Sequence, residues 1–301
     1  MKKSFKTFLH ILWPLALFLS GCIPSQATKT TRPKVDTTPW QEKTVQNTTS
    51  GNRFSYMVLP GPSEDAPVAV LLHGGIFDNR IWLYCSDLAK KYTVYAPQYP
   101  DNHLAYTGHV SDWGKVVKDF IDAVHVSPDL MVGVSNGAYG AIEYLLQNDT
   151  DVTGLVLIST VMLSSSEDEI KKRTRMGRFA MRLSPGRLQG LIEKRATGTD
   201  YGDTPGNISQ SDIFYVRPYP YYYQVFRVPV TQGGKKQNTQ KIKIPVLVLH
   251  GEDDEVMPLW AAKLTTDVFP NAKMIEFPGQ GHDMTFSIGP RIADEILKFF
   301  K

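Results

Sequence analysis

Gly133-Val134-Ser135-Asn136-Gly137 spells G-x-S-x-G, a spacing that can make a nucleophile of an ordinary serine. Residues 129–132 before it read as a buried strand. Residues 138–146 after it read as a helix whose first turn is built from small side chains. A serine on so sharp a strand-to-helix turn carries a strained backbone and a hydroxyl lifted clear of the sheet. The flanking glycines are needed because side chains there would meet the neighbouring strand and helix. The N–H of Asn136, at the helix start, points where negative charge would form on a substrate oxygen under attack. The pattern alone arises often by chance, so its weight depends on partners elsewhere in the chain.

Those partners exist. Gly279-Gln280-Gly281-His282-Asp283 puts a histidine on a Gly-rich loop, and an imidazole suits a base that later acts as an acid. Such a histidine needs a carboxylate to orient it and stabilise its charged form. The stretch His250-Gly251-Glu252-Asp253-Asp254-Glu255-Val256-Met257-Pro258 offers adjacent acids; Asp254 fits best and Asp253 is the fallback. Other histidines compete poorly, because His125 follows a helix and His103 and His109 lie in an irregular segment.

These loops need a scaffold, and the chain supplies one by alternation. Short apolar runs at 54–59, 68–72, 93–96, 130–134, 155–158, 246–249 and 274–277 read as strands, several of them continuous enough to be buried on both faces. Helical patterns lie between and after them at 81–91, 110–124, 138–147, 259–268 and 290–301. Such alternation predicts an α/β fold: a mostly parallel sheet with helices on both faces. Residues 161–241 break the rhythm with a basic, helix-like stretch, Gly- and Pro-rich turns, and the run Tyr219-Pro220-Tyr221-Tyr222-Tyr223. An insert of that length between core strands is expected to be a cap rather than a loop; the blander alternative is a peripheral helical bundle.

The chain order Ser135, Asp254, His282 is that of the α/β-hydrolase arrangement. On these motifs, residues 51–301 resemble an α/β-hydrolase fold protein with a cap after the sixth strand. The resemblance implies that Ser135 is the nucleophile, His282 the base and Asp254 the acid that steadies it. It also implies a second oxyanion N–H from His73-Gly74-Gly75-Ile76, the loop after strand 68–72; Gly75 is the expected donor beside Asn136, with Ile76 second. His73 itself is expected to brace the loop. The chain departs from many relatives in having Pro97-Gln98-Tyr99-Pro100-Asp101-Asn102 where an Asp-x-x-Gly-x-Gly segment often stands, which leaves that loop's contribution open. A serine rather than an aspartate at position 135 argues against dehalogenases and epoxide hydrolases of this fold.

The 301 residues are 42% hydrophobic and 21% charged with a net charge of +3, ordinary for a globular protein and too nearly neutral to suggest nucleic acid. The first residues, Met1-Lys2-Lys3-Ser4-Phe5-Lys6, form a basic lead into an apolar run at 8–19, shorter than the roughly 20 residues a bilayer span needs. Leu19-Ser20-Gly21-Cys22 resembles the lipobox of bacterial lipoproteins. That likeness implies a signal peptide at 1–21, a lipidated Cys22 as the first mature residue, and a membrane anchor in the cell envelope. Residues 22–50, rich in Thr, Pro, Ser and Lys, are expected to be a flexible tether. With Cys22 lipidated, Cys85 has no partner and is expected to be a buried, inert thiol.

The reading that follows is hydrolysis of a carboxylic ester of a small-molecule acyl substrate, with no metal or cofactor. Two alternatives remain open. One keeps the triad but cleaves an amide, as in the prolyl aminopeptidase-like branch, although the basic cap stretch sets Lys171, Lys172, Arg173, Arg175, Arg178 and Arg182 against few acids that could anchor a substrate amine. The other is a catalytically silent, membrane-tethered binding protein.

Overall fold

Each apolar run expected to be a strand is one. The computed structural model describes residues 39–74, 78–100, 111–160, 239–254, 257, 259–282 and 284–301. Its strands are β1 (Gln41–Gln46), β2 (Arg53–Leu59), β3 (Val68–Leu72), β4 (Thr93–Pro97), β5 (Leu130–Val134), β6 (Gly154–Ile158), β7 (Val246–Gly251) and β8 (Ala272–Phe277). They form one sheet in the order β1-β2-β4-β3-β5-β6-β7-β8. β2 is antiparallel to both β1 and β4, and every other pair is parallel.

Alternation along the strands explains why they look uniformly apolar in sequence. Leu71, Val132, Val156 and Leu247 belong to one core with Trp82 and Ile296. Their neighbours Val70, Met131, Leu155 and Val246 belong to a second core on the opposite face, with Trp113 and Ile142. Because successive side chains point to opposite faces, a strand covered on both sides must be apolar at every position. The first core is covered by a 3₁₀ stretch, Asn79–Lys90, and by helix α5 (Gly289–Phe299). The second is covered by α1 (Ser111–Val124) and α2 (Asn136–Gln147). Helices α3 (Leu259–Asp267) and α4 (Met284–Ser287) complete those among the described residues.

Two expectations need correction, and one element is new. The supposed tether at 22–50 overlaps β1, so the sheet begins before residue 51. This strand is exposed along nearly its whole length, and an edge strand with no buried face carries no apolar alternation to read. The helix expected at 81–91 is a 3₁₀ stretch instead, with a kink at Cys85 (φ −101°, ψ 26°). Five consecutive residues, 81–85, are buried there, which a one-sided amphipathic α-helix would not bury together. The short α4 was not anticipated. The expected cap falls outside the described residues except at its end, where Thr239–Lys241 forms a 3₁₀ turn; Thr239 Oγ1 there donates to the Val268 carbonyl at 2.8 Å.

The sheet also places the site. Registered pairs run level across it through Leu72, Gly133, Leu157 and Val248 to Met274. The loops after β3, β5, β7 and β8 therefore leave the same carboxyl edge. The chain leaves β3 toward β4 on one side, while β5 lies on the other. That reversal opens a crevice at the strand ends, where ligands of open α/β sheets bind.

The β1–β2 turn is held to α1 by side chains. The buried Asn52 gives its amide N–H to Asp119 Oδ2 at 2.7 Å, and Asn47 donates to the Asp119 backbone carbonyl at 2.9 Å. Asp119→Ala is expected to leave the Asn52 amide buried without that acceptor and cost about 1–3 kcal/mol in urea unfolding, with Asp119→Asn losing less. A loss for Asp119→Ala within about 0.5 kcal/mol, as for an ordinary surface change, would show that the turn is held by other means.

Candidate active site

β5 feeds directly into α2, and Ser135 is the junction. Its backbone lies at φ 51° and ψ −119°, a positive φ that non-glycine residues adopt only when their surroundings impose it. The surroundings do impose it. Ser135 N–H donates to the Ile158 carbonyl at 2.9 Å, extending the ladder to β6. The Ser135 carbonyl accepts from Ala138 N–H at 3.2 Å and from the Thr160 hydroxyl at 3.1 Å. A Cβ at Gly137 would lie 2.2 Å from the Leu72 carbonyl oxygen, and one at Gly133 would lie 2.5 Å from the Ala138 Cα. The two glycines of the motif are thus the positions where strand and helix approach too closely for a side chain.

Asn136 opens α2. The first N–H groups of a helix have no acceptor within it, so the Asn136 amide is of the kind that can receive a developing oxyanion. The loop that would bring the second donor follows β3. Gly75 and Ile76 lie outside the described residues, but the base of that loop is defined. His73 is fully buried. Its Nδ1 lies 2.7 Å from the Gly74 carbonyl, and its Nε2 accepts from the Tyr99 backbone N–H at 3.2 Å. A carbonyl can only accept, so the proton sits on Nδ1, and the ring joins the β3 loop to the segment after β4. That is the bracing expected of His73. The segment at 97–100, whose contribution was open, supplies the other half: the Tyr99 ring packs edge-on to His73 with centroids 4.6 Å apart.

Beyond β7 the acids separate cleanly. Asp253 is exposed, whereas Asp254 is buried and its Oδ2 lies 2.9 Å from His282 Nδ1. Asp254 Oδ1 accepts the Met257 N–H at 2.7 Å. Burial alone would raise the Asp254 carboxyl, but the His282 charge and hydrogen bond, the Met257 N–H and His250 together hold it below the ordinary carboxylate range. An ionised carboxylate only accepts, so His282 carries a proton on Nδ1, and in the neutral form of the ring Nε2 is left with a lone pair. The loops bearing the two residues are clasped together. Glu252 N–H donates to the Phe277 carbonyl at 3.1 Å and Asp253 N–H to that of Gln280 at 3.0 Å. A Cβ on Gly251 would lie 2.2 Å from that same Gln280 oxygen.

Ser135, Asp254 and His282 therefore all sit at the carboxyl edge of the sheet, each buried. Sequence reasoning missed two side chains that support them. Thr160 ties β6 to the Ser135 carbonyl; a threonine after an apolar run gives no signal of that contact. His250, the last buried side chain of β7, donates from Nε2 to the Met257 carbonyl at 2.6 Å. Its place directly before the acid loop was the available clue. Burial pushes its imidazole below the ordinary value, against the pull of the Asp254 carboxylate. Cys85 is buried, and burial pushes its thiol up to about 12, which suits the inert role expected of it. Cys22 lies outside the described residues. Among the described residues no three His, Cys, Asp or Glu side chains cluster as a metal site would need.

This geometry can be set beside known proteins. A bifunctional esterase/perhydrolase of Acinetobacter calcoaceticus is 38% identical over 75 residues, a match spanning 25% of this chain and 27% of that protein. The carboxylesterase YbfK of Bacillus subtilis is 23% identical over 260 residues, covering 81% of this chain and 83% of the relative. Among solved structures, a thermophilic esterase from Thermogutta terrifontis matches with a TM-score of 0.60 at 17% identity, covering 86% of this chain and 98% of that one; at that identity the likeness speaks to fold alone. The profile of the alpha/beta hydrolase family matches residues 69–294, which run from β3 to α5 and include Ser135, Asp254 and His282. The chain belongs to the alpha/beta hydrolase family.

Proposed function

We propose that this protein hydrolyses carboxylic esters through an acyl-enzyme on Ser135. The observation that carries the reading is the buried 2.9 Å contact between Asp254 and His282, at the same sheet edge as the positive-φ turn of Ser135. The esterase/perhydrolase and carboxylesterase relatives support an ester rather than another acyl compound as substrate.

In the proposed reaction, Ser135 Oγ attacks the ester carbonyl carbon as His282 Nε2 takes the hydroxyl proton. The oxygen of the tetrahedral intermediate is held by the N–H groups of Asn136 and Gly75. Collapse expels the alcohol, which leaves with the proton from His282. Water then attacks the acyl-enzyme, giving a proton to His282, and the acid departs as Ser135 regains its hydrogen. Asp254 fixes the ring and stabilises its charged form throughout. No cofactor enters the scheme. The same reading places the enzyme on a cell-envelope membrane through lipidated Cys22, followed by a tether that ends before β1. No helix among the described residues is long and apolar enough to cross a membrane.

Ser135→Ala is expected to cut turnover of p-nitrophenyl butyrate by several orders of magnitude with unchanged unfolding behaviour, since only the hydroxyl is lost. Wild-type rates in that variant would overturn the assignment. p-Nitrophenyl esters are expected to be turned over far faster than aminoacyl anilides; the reverse preference would make the protein an amidase. Asp254→Asn is expected to cripple turnover while Asp253→Asn leaves it nearly intact, and the opposite ranking would move the acid.

Stability adds an independent check. The folded-state value of Asp254 lies below its unfolded one, so its contribution is present above about pH 4 and lost as pH falls through the folded value. Asp254→Asn should flatten the stability curve in that acid window; an unaltered curve would mean that the carboxylate is not held as described. For the anchor, Cys22→Ser is expected to move the protein from the membrane to the soluble fraction and abolish incorporation of labelled palmitate.

A further inference from the structure

We propose that His250 is a positioning residue: as a neutral Nε2–H donor to the Met257 carbonyl, it sets the aim of the Asp254 carboxylate on His282. The inference rests on the assignment of Asp254 and His282 made above and adds to it a residue that plays no part in the reaction scheme.

Asp254 reaches His282 from a loop, and a loop carboxylate is only as well aimed as its other contacts make it. Its Oδ1 is held by the Met257 N–H at 2.7 Å. The carbonyl of the same residue is held by His250 Nε2 at 2.6 Å. The Met257 backbone is therefore gripped on its acceptor side by His250, while its donor side grips Asp254. His250 stands on the rigid end of β7, where its neighbour Leu249 is paired with both Ile158 and Ile275. The aim of the carboxylate is thus referred back to the sheet through two hydrogen bonds.

The protonation state follows from the partners. A carbonyl accepts only, so the Nε2 facing Met257 carries a hydrogen. His250 Nδ1 is buried with no hydrogen-bond partner among the described residues, so a second proton there would be an unpaired buried donor. Burial likewise disfavours the charged ring, and among the described residues the ionisable groups it feels are Asp254, His282 and Glu276. Neutrality matters because His250 Nε2 is 3.6 Å from Asp254 Oδ2, the oxygen that His282 uses. A cation at His250 would compete for that oxygen. A neutral donor committed to Met257 leaves its charge to His282.

Two amide substitutions separate this role from bulk packing. His250→Gln can place a side-chain N–H near the former Nε2, whereas the shorter His250→Asn cannot reach the Met257 carbonyl. Both are made in the full chain, with urea unfolding to verify the fold. Two quantities are read: the downfield proton resonance of His282 Nδ1–H, which reports its hydrogen bond to Asp254 without requiring activity, and kcat against KM on p-nitrophenyl butyrate. His250→Gln is expected to keep the resonance and to hold kcat within about threefold. His250→Asn is expected to lose or shift the resonance and to lower kcat on the order of 10- to 100-fold, as for a small misplacement of a catalytic group, with KM little changed. If His250→Asn keeps both resonance and kcat, or if the two variants lose them equally, the proposal is overturned. Failure of the triad reading would look different: Asp254→Asn would retain wild-type turnover and the resonance would be absent from the unsubstituted protein.

Discussion

The backbone of Ser135 is forced into a positive φ of 51°, a conformation that costs a non-glycine residue about 1–3 kcal/mol. Much of the surrounding architecture consists of what keeps it there. β5 ends one residue earlier, and α2 begins one residue later. The chain therefore turns from strand to helix on a single residue. This is feasible only because Gly133 and Gly137 leave the space that Ala138 and the Leu72 carbonyl occupy. β3 must lie against β5 for that approach to exist, and β6 must lie on the other side to accept the Ser135 N–H and to deliver Thr160 to its carbonyl. The central strands are buried on both faces and cannot shift register without exposing a whole row of apolar side chains. The strain at Ser135 is thus balanced by the part of the fold least able to relax.

The other half of the site obeys a different constraint, electrostatic rather than steric. A buried carboxylate is unfavourable unless its oxygens are satisfied. Asp254 is satisfied by Met257 on one oxygen and His282 on the other. The strength of that pairing comes from the same burial that makes an unpaired charge there so unfavourable. Neighbouring Asp253 is exposed and, among the described residues, is engaged through its backbone N–H, to the Gln280 carbonyl. The acid loop therefore divides the work: the exposed residue fastens the two loops together, and the buried one carries the charge.

What the amino-acid sequence disclosed follows the same physics. β3, β5, β6 and β7 were legible because burial on both faces leaves an unbroken apolar run, and the glycines around Ser135 because the close approach tolerates nothing larger. β1 was not legible: at the exposed edge, Gln41, Glu42 and Lys43 look like a solvated linker until β2 is seen beside them. The dense apolar residues at 81–91 predict a helix there, but density does not distinguish α from the 3₁₀ winding found at Asn79–Lys90. Asp254 stood out from Asp253 in sequence only by offset. In the fold it stands out by burial, a tertiary property. His250 escaped notice because its role depends on where the Met257 backbone turns back, which no local pattern encodes.

The central claim is that Ser135 is made nucleophilic by His282, itself held by Asp254. The most direct measurement is labelling of the full chain with a fluorophosphonate, followed by peptide mass mapping of the adduct and its rate of formation. The account predicts one adduct, on the peptide containing Ser135, forming far more slowly in His282→Asn and absent in Ser135→Ala. An adduct on another serine, or labelling of Ser135 at an undiminished rate without His282, would contradict it.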